Sequence, residues 1–304
     1  MRIGLTGGGR TVDKVIEQAK QAEADGFTSL WYASVVTGDP LVAMAFAGRA
    51  TESIELGTAV LQTWPCHPVL QANRVASATS GMGRPGLTLG IGPSHASSIE
   101  TYGLAYDHPG RNTEEYLRIL APLLRGEAVD IDGTDWSGHA PAGAVPLAQP
   151  VPLLLSALGP RLLRLAGEVA DGTVSWMAPA KAIETHIAPR INDAARAAGR
   201  PAPRIVAGLP VAVHDDKAQA RAAVDAYSTM YAGQPNYQRI MELGGASGAP
   251  DAAIVGDEGS VRDQLQGLID AGATDIWAAI VPVGEDRRAS TRRTTELLQE
   301  LLGT

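Results

Sequence analysis

The stretch "SALGPRLLRLAGEVADGT", Ser156 to Thr173, is the clearest place in this chain for anion chemistry. Its turn, Leu158, Gly159 and Pro160, carries no charge. Pro160 pre-sets the first turn of a helix. The open N–H groups of that turn and the positive end of the helix dipole favour a phosphate without any lysine. Gly159 lets a ligand come close to the main chain, and Arg161 can add a charge-assisted bond. A tight strand-to-helix corner explains the same residues, and the local sequence leaves both readings open. Elsewhere the chemistry is sparse. His67 and His95 are poor material for a metal site, which wants several converging His, Cys or carboxylate ligands. No Gly-x-Ser-x-Gly elbow supports serine hydrolysis. "TGGGR" (6–10) lacks the lysine of a P-loop and reads as a flexible loop. Cys66 has no evident base beside it and reads as packing. Trp64 and Trp176 fall just past two strands, where they can wall an apolar pocket or simply pack the rim. Such loops suit a large, flat, phosphate-bearing cofactor.

These loops need a scaffold that gathers them, and the apolar pattern supplies one. Eight strand-like segments recur: "RIGLT", "TSLWYAS", "SIELGTAVL", "GLTLGIG", "VPLLLSA", "GTVSWM", "RIVAGLPVAV" and "DIWAAIV". Helical spacing lies between them, at 11–25, 40–50, 67–80, 111–125, 160–170, 180–198, from 217, at 260–271 and at 287–302. An open doubly wound sheet more often stops at roughly five to seven strands. The pattern therefore predicts an α/β fold, a (β/α)8 TIM barrel, as a single domain over 1–304. Residues 126–150 and 232–256 break the rhythm with Gly, Pro and Ala. Both are too long for ordinary connections. They are expected as insertions, either surface decoration or lids over the barrel mouth.

The chain has 304 residues, 45% of them hydrophobic, enough for one large core. Only 5% are aromatic, so that core falls to Val, Ile, Leu and Ala. The net charge of −8 and the lack of any Lys/Arg run argue against a nucleic-acid surface. A lone cysteine excludes an internal disulfide framework and fits a reducing cytosol. The opening "MRIGLTGGGRTVDK" turns polar too soon for a signal peptide. No apolar run approaches the roughly 20 residues of a membrane span. The expectation is a cytoplasmic protein with no membrane and no nucleic-acid partner.

Joined segments add a resemblance. "IELGTAVLQTWPCHPVLQANRVASATSGMGRPGLTLGIG", followed by "SALGPRLLRLAGEVADGTVSWM" and "IVGDEGSVRDQLQGLIDAGATDIWAA", resembles the bacterial luciferase-like monooxygenase superfamily. Its nearest branch is that of the coenzyme F420-dependent oxidoreductases. The likeness runs over nearly the whole chain and implies a (β/α)8 barrel with insertions. It implies a non-prolyl cis peptide at Ala59–Val60, in a bulge that presses on the back of a deazaflavin ring, with Leu61 beside it. It implies that Ala157, Leu158, Gly159, Pro160 and Arg161 form the phosphate turn. Ser34, after the second strand, and Ser98, after the fourth, match cofactor-side positions, and Pro93, Ser94 and His95 line the ring or substrate side.

The chain departs from the pattern in one place. Several relatives carry an Asp-His pair just after the second strand, where "WYASVV" places Ser34 and Val35. Alcohol oxidation loses its acid–base group there. Reduction of a C=C or C=N bond gains, and His95 is left as the candidate proton donor, since an unperturbed pKa of about 6.5 suits the task. The expected function is an F420-dependent oxidoreductase moving a hydride between the deazaflavin and a small-molecule substrate, with Trp64 and Trp176 against the substrate. The alternatives are an FMN-dependent monooxygenase using reduced flavin and O2, and a flavin-binding barrel without turnover. The resemblance also implies a homodimer, to which Ala-rich helices such as "AFAGRA" are suited, and leaves room for a separate cofactor reductase.

Overall fold

The computed structural model describes residues 1–231 and 233–303. Eight parallel strands close into a barrel, in chain order Ile3–Gly7, Ser29–Tyr32, Glu55–Thr58, Leu87–Gly92, Leu153–Leu155, Gly172–Trp176, Arg204–Val213 and Asp275–Ile280. Each pairs with the next, and the eighth pairs back onto the first. The strands are almost continuously apolar because both faces are covered, one by the barrel interior and one by helices. Pairing puts the starts of the strands at one end and the loops of chemical interest at the other. The third strand is interrupted by Ala59 and Val60 and resumes as Leu61–Gln62, which pairs with the fourth.

Helices Val12–Ala24, Pro40–Arg49, Pro68–Met82, Pro109–Leu124, Pro160–Val169, Lys217–Ser228, Glu258–Asp270 and Arg287–Glu300 lie close to the predicted spans. Several start where the side chain of Thr11, Asp39, Asp216, Asp257 or Asp286 accepts a first-turn N–H. The predicted helix over 180–198 is broken into Ala180–Ala182, a π-helical turn at Ile183–Ile187 and Ala188–Ala197. Pro189 is the physical reason. It has no N–H to give the carbonyl four residues back, so the ladder slips by one residue. Arg190 instead caps the Thr185 and His186 carbonyls.

The two insertions differ. Within 126–150 a hairpin, Val129–Asp132 with Ser137–Ala140, lies along helix Pro109–Leu124 on the barrel flank. Its turn is held by Glu115, whose carboxylate accepts the N–H groups of Thr134, Asp135 and Trp136. The second insertion continues from the short 3-10 turn Thr229–Tyr231 into helix Pro235–Leu243 and returns as strand Ile254–Gly256 against the seventh barrel strand. It brings Tyr231 and Tyr237 over the mouth. Among the described residues no helix is long and apolar enough to cross a membrane.

Candidate active site

The fifth strand runs out at Ser156, whose N–H donates to the Ile91 carbonyl at 2.7 Å. Ala157 is fully buried, and Leu158, Gly159 and Pro160 rise toward solvent. Gly159 is extended (φ −91°, ψ 156°) and heads helix Pro160–Val169 with no side-chain cap. A Cβ built on Gly159 would meet nothing within 4 Å. The space beside Gly159 is therefore open, and no side chain occupies the start of the helix. Its orientation is fixed from below. His186, in the π-helical turn, is 7% exposed and donates from Nε2 to the Leu158 carbonyl at 2.8 Å. Arg161 is held to one side, its Nη2 donating to Glu114 Oε2 at 2.9 Å.

The third strand supplies the neighbouring wall. The Ala59–Val60 peptide is cis. Ala59 donates its N–H to the Tyr32 carbonyl at 2.8 Å, and Leu61 is buried in register with Ile91. A Cβ on Gly92 would stand 3.2 Å from Val60 Cγ2 and 3.0 Å from Ser156 Cβ. With no side chain at Gly92, the cis bulge and the strand end at Ser156 become neighbours across the fourth strand. Ala59 and Val60 stay half-buried, facing the mouth.

His95 caps the short helix Ala96–Glu100 and is half-buried. Burial pushes its pKa below the usual 6.5. Its ring meets Tyr237 edge to face, centroids 5.5 Å apart. Next to it Ser94 adopts φ 63°; its hydroxyl accepts from Gln62 Nε2 and its carbonyl from the Tyr106 hydroxyl. Tyr106 also packs on Trp64, centroids 5.3 Å apart. Trp176 belongs to another group, against Tyr231 at 5.7 Å and Trp277 at 4.8 Å. The two tryptophans thus sit in separate ring clusters. Ser34, in the turn after the second strand, and Ser98, in the short helix Ala96–Glu100, are half-buried, and neither hydroxyl is hydrogen-bonded among the described residues.

Sequence reasoning missed His186, Tyr106, Tyr231 and Tyr237. For the last two a signal was present: tyrosines in "STMYAGQPNYQRIMELG", a Gly/Pro-broken segment. Tyr237, Ile240, Met241 and Gly244 also repeat at helical spacing. For His186 no local pattern marks the contact, because Leu158 is 28 residues away.

The luciferase-like monooxygenase model matches residues 2–292 of the chain. A 5,10-methylenetetrahydromethanopterin reductase from Methanolobus tindarius is 28% identical over 247 residues, 80% of this chain and 74% of that protein. An F420-dependent hydroxymycolic acid dehydrogenase from Mycobacterium tuberculosis is 28% identical over 282 residues, 86% of this chain and 77% of its own. Among solved structures, an F420-dependent secondary alcohol dehydrogenase in complex with an F420-acetone adduct superposes with a TM-score of 0.79 at 17% identity. That match covers 97% of each chain. The barrel, the match along almost its full length and these relatives agree: the chain belongs to the luciferase-like monooxygenase family.

Proposed function

We propose that the chain is an F420-dependent oxidoreductase that moves a hydride between the deazaflavin and a small organic substrate, in the direction of C=C or C=N reduction. The observation that carries this reading is the uncapped helix start at Gly159, open to 4 Å and bordered through Gly92 by the Ala59–Val60 bulge. A flat ring system with a phosphate tail fits that pair of features: main-chain N–H groups for the phosphate and a half-buried apolar ridge for the ring. The F420-dependent dehydrogenase among the curated relatives supports this choice of coenzyme. When bound, reduced F420 supplies a hydride equivalent to an acceptor bond.

The chain's own residues supply the rest. Ala157 to Pro160 present main chain to the phosphate, and His186 keeps that turn in place. Ala59, Val60 and Leu61 back the ring. In this reading His95 passes a proton to the substrate, and Tyr231 and Tyr237 exclude water from above. Ser34 and Ser98 flank the cofactor side. The matched family description, a monooxygenase, favours FMN with O2 as the second reading. We read the protein as a cytoplasmic homodimer. Its dimer face is the exposed apolar surface of Val42, Phe46 and Leu70, on helices Pro40–Arg49 and Pro68–Met82.

Competing calorimetric titrations with F420 and FMN test the assignment. Tighter binding of F420, followed by bleaching of the reduced coenzyme's spectrum only when an acceptor is added, is the expected result. Tighter binding of FMN moves the protein to the second reading, and no binding of either ends both.

A further inference from the structure

Among the described residues, four other than glycine take a positive φ: Thr37, Ser94, His108 and Met177. A Cβ makes that conformation unfavourable, and a residue kept in it is over-determined by what surrounds it. Ser94 (φ 63°) is the one of the four that side chains distant in sequence hold by hydrogen bonds. Gln62 Nε2 donates to its hydroxyl at 3.1 Å, and the Tyr106 hydroxyl donates to its carbonyl at 2.9 Å. Both bonds trace back to one stretch of the barrel wall. Gln62 belongs to the resumed third strand, Leu61–Gln62, in register with Gly92. Tyr106 arrives from the loop after helix Ala96–Glu100, and its ring packs at 5.3 Å on Trp64, two residues beyond Gln62. Between them the Thr63 N–H donates to the Gly92 carbonyl at 3.1 Å.

The conformation of Ser94 aims the next residue. The His95 carbonyl accepts the N–H groups of Ser98 and Ile99 at 3.0 and 3.1 Å, which fixes its main chain on the helix side. Its imidazole does not cap that helix, and among the described residues its one ring contact is Tyr237, edge to face at 5.5 Å. The ring therefore takes its direction from the main chain beneath it. A proton donor must stand within about 2.6–3.2 Å of the atom it serves. A misplacement of about 1 Å costs roughly a hundredfold in rate.

We propose that Gln62 and Tyr106 are positioning residues: together they hold Ser94 in its left-handed conformation and thereby fix where the His95 imidazole stands at the barrel mouth. What His95 does there rests on the oxidoreductase reading above, whereas where it stands rests on these bonds. Neither residue supplies the proton. Burial raises the Tyr106 phenol to about 12, and its hydrogen is engaged by the Ser94 carbonyl. The Gln62 amide does not titrate.

The test follows the imidazole of His95 by NMR in the full chain, its signals assigned by their loss in His95→Gln. Tyr106→Phe keeps the ring on Trp64 and removes only the hydroxyl. The His95 signals are expected to move, because the imidazole leaves its place beside Tyr237, while those of His67, His139, His186 and His214 hold. Gln62→Ala and Ser94→Ala break one bond from its two ends. Each is expected to move the His95 signals, and the double variant no further than the larger single shift. Calorimetry should find the F420 affinity of Tyr106→Phe within about twofold of wild type. A larger loss would assign Tyr106 to the coenzyme and overturn the proposal. Wild-type His95 signals in Tyr106→Phe or in Gln62→Ala also overturn it, as does movement of all the histidine signals together, the mark of a general loss of structure. If F420 does not bind but Tyr106→Phe moves His95 alone, the oxidoreductase reading falls and the positioning stands. If F420 binds and His95 does not move, the positioning falls alone.

Discussion

His186 and Leu158 are joined by a hydrogen bond of 2.8 Å from imidazole Nε2 to carbonyl oxygen, and that bond holds the peptide that leads into the helix start at Gly159. In a planar trans peptide the carbonyl and the following N–H point in opposite directions. Tying the Leu158 carbonyl down therefore turns the Gly159 N–H out, toward the open side. His186→Ala frees that peptide to rotate. F420 affinity should fall by about tenfold, and the melting temperature should also drop because a buried, hydrogen-bonded ring is removed. Gly159→Leu places a side chain in the open space and should weaken binding at least as much. Calorimetric titration decides; a wild-type dissociation constant in both variants would remove the corner from the binding site.

His95 sets a pH dependence. Burial disfavours its charged form, so its folded pKa lies below 6.5. As pH drops under about 6.5 the unfolded chain takes up this proton before the folded one does. Stability is thus fully present above that pH and declines below it, until the folded pKa is reached. A proton donor shows the complementary trend: turnover should fall as pH rises through the same lowered pKa. His95→Gln should flatten both profiles and leave F420 affinity unchanged. Chemical denaturation and initial rates between pH 5 and 8 (roughly the range in which histidine titrates) are the measurements. A pH–rate profile in His95→Gln identical to that of wild type would exclude the role.

The barrel was legible in the sequence because its strands are short apolar runs alternating with amphipathic helices, a local pattern. The Gly159–Pro160 helix start was legible for the same reason. What could not be read lies in contacts between distant segments. His186 meets Leu158 only because Pro189 shifts the helix into a π turn. Residues 126–150 and 232–256 look alike in composition, yet one lies on the flank and the other over the mouth. Chain order separates them physically. The first insertion lies between helix Pro109–Leu124 and the start of the fifth strand, while the second lies within the long connection from the end of the seventh strand to helix Glu258–Asp270, after helix Lys217–Ser228. Arg161 was assigned to the phosphate on charge alone. The sequence could not show Glu114 waiting one helix away.

The apolar surface on helices Pro40–Arg49 and Pro68–Met82 makes the oligomer testable. Val42, Phe46 and Leu70 are each more than half exposed and border a groove of about 350 Å³ that reaches Ala45, Ser77 and Ala78. A large exposed ring beside a hollow can serve both sides of a two-fold contact. Sedimentation velocity should find a dimer in the wild type and a monomer in Phe46→Glu. Because Phe46 is exposed, the substitution should leave the monomer folded. A monomeric wild type at micromolar concentration would rule this face out.

The closed end of the barrel carries four charges at strand starts: Arg2, Glu55, Arg204 and Asp275. Arg204 bonds Glu55 Oε1 at 2.8 Å and Asp275 Oδ1 at 2.7 Å, and Arg2 reaches the same two carboxylates at 2.9 Å each. Thr88 donates to Glu55 as well. The Asp275 side chain is 3% exposed; burial alone would raise its pKa, but the hydrogen bonds and charge of Arg204 hold it below 3.8. Arg204→Met leaves two carboxylates facing each other with one exposed arginine between them. Removing one partner of a buried ion pair costs about 3 kcal/mol, far more than losing a surface pair. Urea unfolding at pH 7 should show a loss of that order, with F420 affinity retained because the mouth lies at the opposite end. In the wild type, the stability contributed by the ionised Asp275 is present above pH 3.8 and is lost as pH falls through its lower folded pKa. In Arg204→Met that acid-induced loss should begin at higher pH, since the carboxyl no longer has its main cation. A drop at pH 7 of under about 1 kcal/mol would mean that water, rather than Arg204, compensates these charges.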